Sequence, residues 1–94
     1  MTDTERCELS RRLRGLATEL YVESREPSAA ETRVSAIEEI RRIVRSVHRR
    51  IDRIALCMFV IAELIRTWRA DPAPRVRQAA EEALDELSRL NRPE

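Results

Sequence analysis

The chain has no lysine, one glycine, one histidine, two cysteines and one each of tryptophan, tyrosine and phenylalanine. Each scarcity closes off a class of protein. Cys7 and Cys57 stand alone, with no Cys-x-x-Cys and no Cys/His cluster, so a structural zinc site is not expected and a disulfide framework has no support. Two lone thiols fit a reducing compartment. The first ten residues, MTDTERCELS, are polar and carry no signal-peptide core, which sets the expectation of a cytoplasmic protein. The longest apolar run, Ile54 to Ala62, stops at Glu63, far short of the roughly 20 residues that span a bilayer. No Gly-rich phosphate loop, Gly-x-Ser-x-Gly or zinc-ligand spacing occurs, so no enzyme chemistry and no cofactor are expected.

What the chain does have is charge and helical pattern. Eighteen arginines face seventeen acids for a net charge of +1, which leaves no overall field to draw the chain to nucleic acid or membrane. Low glycine, few aromatics and a high charged fraction suit long helices with solvated flanks. The arginines are spread through all the helical segments, which fits compositional bias better than a single binding site. Ninety-four residues make one domain, 1–94, near the lower end of what folds alone.

Three helical segments are readable. The first covers about Asp3 to Glu26. It opens with capping-box spacing at Thr2 and Glu5 and carries an apolar stripe of Leu9, Leu13, Leu16 and Leu20, with Ala17 and Tyr21 alongside. Gly15 lies inside it, either at a close packing point or on the outer face. Pro27 ends it. The second begins at the capping box Ser28 to Glu31 and continues to about Ala70, since no Gly or Pro lies between Pro27 and Pro72. Ile37, Val44, Ile51, Met58 and Ile65 recur every seven residues, and Ile40, Val47, Ile54, Ile61 and Trp68 form the second register. From Ile54 onward nearly the whole circumference is apolar. The third segment starts within Asp71 to Pro74, with Asp71 as cap, and buries Val76, Ala80, Ala83, Leu84, Leu87 and Leu90.

These lengths imply an architecture. A helix over 28–70 would be about 60 Å long, while a compact chain of this size has a radius of gyration near 12–13 Å. Short connections make the flanking helices antiparallel neighbours of the central one. The expected fold is therefore all-α: three helices, the long central one flanked by antiparallel helices, closing into a coiled-coil-like helical-bundle oligomer. The expected oligomer interface is Ile37, Ile40, Val44, Val47, Ile51, Ile54, Met58 and Ile61. Ile and Val at both seam positions favour trimers or tetramers in a parallel coiled coil; the flanking helices weaken that rule, and a homodimer is the favoured expectation.

Asp71-Pro72-Ala73-Pro74-Arg75-Val76-Arg77, followed by Ala80 and Ala83-Leu84, resembles the turn and second helix of a HEAT-like repeat. The resemblance covers residues 71–84 and occurs once. It implies packing roles for Val76, Ala80, Ala83 and Leu84, turn-fixing roles for Asp71 and Arg77, and protein–protein binding as the general function.

Two functional readings follow. The first is a small non-enzymatic protein–protein interaction module, an adaptor or regulator, that self-associates through the heptad-patterned helix and binds an unidentified protein partner. The alternative is a nucleic-acid-binding regulator using Arg41, Arg42, Arg45, Arg49, Arg50 and Arg53, which could track a phosphate backbone or meet an acidic partner. No recognition-helix motif or interleaved aromatic accompanies that arc, and arginines on a solvated face, or pairing with acids of the third helix across an oligomer interface, are commoner. A ligand sensor with a core cavity near Cys57, Met58 and Glu63 is the weakest reading. His48 has no ligand partner at helical spacing, and Glu63 is expected to pair with Arg66 or Arg69 or to face the surface. Phe59, Trp68, Met58 and Leu64 are assigned first to the core and second to a partner-binding patch.

Overall fold

The structure, a computed structural model, describes residues 2–20 and 27–92, with side chains from Ala30 onward in the second block. Every regular element is helical: α1 (Asp3–Leu20), α2 (Pro27–Ser46), α3 (Arg50–Cys57), α4 (Ile61–Ala70) and α5 (Pro74–Leu90). The all-α expectation holds. In place of one central helix over 28–70, however, the chain forms α2, α3 and α4, separated at 47–49 and 58–60. The longest dimension is 39 Å and the radius of gyration 13.1 Å, so no 60 Å rod exists.

The ends of the chain follow the sequence pattern. Thr2 Oγ1 accepts from Glu5 N–H at 3.1 Å and donates to the Glu5 carboxylate, which starts α1. Leu13, Ala17 and Leu20 are buried, and Leu9 and Leu16 pack at their edge. Tyr21, the stretch to Glu26 and the Ser28 cap lie outside the described residues or side chains. In α5, Val76, Ala80, Ala83 and Leu87 are buried, with Leu84 and Leu90 half-buried against them. Ala73, not Asp71, is the N-cap of α5, and Pro74 occupies its first turn.

The middle differs because coverage outweighs local helix propensity. A helix that is apolar all round must be covered on several sides, and a straight one would leave its second half bare. The bends bring Leu56, Cys57, Val60 and Leu64 into the same core as Ile37, Ile40, Ile43, Val44 and Val47. α2 lies centrally, packed against both α1 and α5; α4 pairs with α5, and α1 also touches α3 and α4. Glycine and proline are absent at both bends, and no described residue has a positive φ. The first bend is held by a side chain instead. Arg53 Nη1 donates to the carbonyls of Val47 (3.0 Å) and His48 (2.9 Å), and Nη2 reaches the Leu90 carbonyl at the end of α5 (2.8 Å). Carbonyls that a continuing helix would use are thereby satisfied. The second bend is a single tight turn, with Phe59 N–H on Leu56 O and Val60 N–H on Cys57 O.

The α4–α5 turn is tied to α2 by a buried ion pair. Arg33 Nε and Nη2 donate to the two oxygens of Asp71 at 2.7 and 3.0 Å. Both side chains are almost wholly buried. Asp71 Oδ1 also accepts from Ala73 N–H, and the Asp71 carbonyl accepts from Arg77 Nη1. Arg33 Nη1 has no partner among the described residues.

Two stability outcomes follow. A Cβ added at Gly15 meets nothing within 4 Å, so Gly15→Ala should raise unfolding stability by about 0.5–1 kcal/mol in urea titration. Asp71→Ala leaves Arg33 buried and unpaired and should cost about 3–5 kcal/mol, whereas Arg33→Met combined with Asp71→Leu should recover most of that loss.

Candidate protein-interaction face

The eight seam residues divide at the first bend. Ile37, Ile40, Val44 and Val47 are buried in the chain's own core, which corrects their expected place at an oligomer interface. The bend between α2 and α3 is the reason, because it lets the chain cover the first half of the seam itself. Ile51, Ile54, Met58 and Ile61 stand outside. Ile51 is 69% exposed and Met58 73%. Ile54, Phe59, Ile61 and Trp68 are each 36–40% exposed, and Ala55 and Ala62 lie exposed among them.

Helical spacing gathers these side chains. Ile51, Ile54 and Met58 fall on one side of α3, opposite Asp52, Leu56 and Cys57, which are buried. Ile61, half-buried Ile65 and Trp68 continue along α4, whose inner side is Leu64 and Thr67. The Arg14 guanidinium of α1 stacks over the Phe59 ring, 4.7 Å from its centroid, and closes one margin. At the far end, Trp68, Gln78, Glu81, Glu82, Leu84 and Asp85 line a depression of about 570 Å³ between α4 and α5. Placing Trp68 and Phe59 in the core fails because Leu64 and Val60 take the inward positions.

The arginine arc is largely used internally. Arg41 and Arg45 both donate to the Glu86 carboxylate of α5, and Arg41 also lies 3.9 Å from Glu82. Arg42 pairs with Glu39, which also holds Arg12 of α1. Arg50 Nε donates to the Asn91 carbonyl, and Arg53 is the lock of the first bend. The Arg49 side chain makes no hydrogen bond or ion pair among the described residues; its carbonyl accepts from Arg53 N–H. Pairing between this arc and the third segment's acids, one of the two alternatives to phosphate contact, occurs here within one chain rather than across two copies. His48 is exposed, and Glu63 accepts from Arg66.

Two titratable groups are shifted. The hydrogen bond from Arg45, with Arg41 beside it, draws the Glu86 carboxyl down to about 2, and Arg45 is correspondingly raised. Burial pushes the Cys57 thiol up, opposed by the Asn91 amide, which donates to Sγ at 3.5 Å, and by nearby Arg53. Such a thiol is a packing group with little thiolate at neutral pH.

Sequence reasoning missed Arg33–Asp71 and the choice of Glu86 as acceptor. Arg33 looks like any other helix-surface arginine in the sequence, and its partner lies 38 residues away. Among the described residues, no helix is long and apolar enough to cross a membrane, and no group of three or more His, Cys, Asp or Glu side chains is placed to hold a metal ion.

No family model, no curated protein and no solved structure matches the chain.

Glu86 supplies a pH test. Its folded-state pKa of about 2 lies below the unfolded value of 4.5, so its contribution is fully present above pH 4.5 and is lost as pH falls toward 2. Because Arg45 is half exposed, solvent screening reduces that contribution to about 1 kcal/mol. Glu86→Gln should lower stability at pH 7 by this amount and flatten the slope of stability between pH 5 and 2, as read from denaturant midpoints across that range.

Proposed function

We propose that this chain is a small non-enzymatic protein–protein interaction module, an adaptor or regulator, that self-associates through the apolar face of α3 and α4. The observation that carries the reading is Ile51, Ile54, Met58 and Ile61, held outside the core at helical spacing with Phe59 and Trp68 beside them. Together these six side chains present on the order of 600 Å² to solvent, at the upper end of what a monomeric protein leaves bare. A standard interface buries about 800 Å² per partner, so the face and a modest rim suffice. Large aliphatic and aromatic side chains, with arginine at the margin, match the composition of interface centres. The HEAT-like turn at 71–84 supports the same general role, by resemblance. The internal partners of Arg41, Arg42, Arg45, Arg50 and Arg53 favour protein binding over the nucleic-acid alternative, since a guanidinium already bonded must break that bond to meet a phosphate.

The test is the solution mass of the intact chain by light scattering. The unaltered protein should run at twice the mass of one chain. Ile51→Arg with Met58→Arg should run as a monomer, with its Tm moved by only about 3 °C because both positions are mostly exposed. A monomeric unaltered protein, or a double variant that still pairs, would overturn the reading.

A further inference from the structure

The two ends of the apolar face carry opposite charge. At the α3 end, Arg49 and Arg50 occupy the N-cap and first turn. Arg50 and Arg53 reach the carbonyls of Asn91 and Leu90, which places this end beside the C-terminus of α5. At the α4 end, Trp68 borders the depression lined by Glu81, Glu82 and Asp85, on the N-terminal half of α5. The face therefore runs along the molecule from a basic end to an acidic one. Glu81 has no partner among the described residues, and Asp85 holds only an exposed pair with Arg89. Glu82 lies 3.9 Å from Arg41 of α2, so Glu81 is the carboxylate of the depression without an ion pair among the described residues.

We infer that the occupant of this face is a second copy of the chain seated antiparallel, with Arg49 of each copy entering the depression between Trp68 and the Glu81 and Asp85 carboxylates of the other, and Arg50, still held by the Asn91 carbonyl, adding positive charge at its margin. The inference rests on the self-association proposed above and adds its orientation and its polar contacts. A two-fold axis near Met58, the most exposed residue of the face, sets like against unlike at both ends at once. A parallel seating would place Arg49 and Arg50 against their own copies, and the acids against acids, at a cost at each end. The antiparallel pair gives each Arg49 guanidinium a carboxylate for forked hydrogen bonds and an indole face for stacking. The exposed Trp68 thereby gains a role: it forms the wall of a cation site completed by the partner copy.

Charge reversal tests the seating. One protein carries Arg49→Glu and Arg50→Glu, and a second carries Glu81→Arg and Asp85→Arg. All four positions are exposed, so helical circular dichroism and Tm should be retained. Each variant alone should dimerise at least about tenfold more weakly than the unaltered chain, because both of its ends now repel. Mixed one to one, the two variants should form a heterodimer within about threefold of the original affinity, since both ends attract again. Trp68 fluorescence should change on mixing and not in either variant alone. If both variants dimerise like the unaltered chain while Ile51→Arg with Met58→Arg still splits it, the apolar face stands and the antiparallel seating falls. Weakening of each variant without recovery on mixing overturns the seating as well. A monomeric unaltered protein overturns this inference together with the functional reading beneath it.

Discussion

Coverage of the helical stretch from Ile54 to Leu64 is the constraint on which the remaining structure depends. Nearly every position there is apolar, so no single neighbouring helix can bury it. The chain answers with two bends, which send Leu56, Cys57, Val60 and Leu64 inward and leave Ile51, Ile54, Met58 and Ile61 outward. The core and the candidate face are two results of one partition. Side chains that would have shared a seam in a straight helix are sorted to opposite sides.

Ion pairs then fix how the layers sit. Arg6 of α1 reaches Asp52 of α3, Arg12 reaches Glu39 of α2, and Arg41 and Arg45 of α2 converge on Glu86 of α5. Most are exposed enough to contribute orientation more than stability. Arg33–Asp71 differs, because both partners are buried and the carboxylate is shared with the α4–α5 turn. That pair holds the α4–α5 hairpin in register on α2. The arginine-rich composition is thus largely used inside the molecule.

Much of this was legible in the residues, and the unread parts share a cause. The Thr2–Glu5 cap and the buried stripes of α1 and α5 depend on contacts within one helix or on simple periodicity, and Leu13, Ala17, Val76, Ala83 and Leu87 lie where the pattern puts them. The heptad register also contains Ile51, Ile54, Met58 and Ile61, which stand exposed, but it joined them to Ile37 and Ile40, which belong inside. What it could not supply was the bend at 47–49. Local signals for a helix end are glycine, proline or a polar cap; only Ser46 is there, and its hydroxyl donates back to the Ile43 carbonyl while α3 has no side-chain cap. The stop comes from Arg53 acting across the break and across to Leu90, a contact that exists only once α5 is in place. The position of Glu86 between two arginines, and of Asp71 against Arg33, is unreadable for the same reason.

Since Val47, His48 and Arg49 are all residues that a helix accepts, and none is in a left-handed conformation, the backbone there is bent by its surroundings alone. Straight and folded forms of this polypeptide would contain almost the same number of helical residues. Ellipticity is therefore nearly blind to the feature that defines the molecule, and hydrodynamic radius or small-angle scattering is the measurement that registers it.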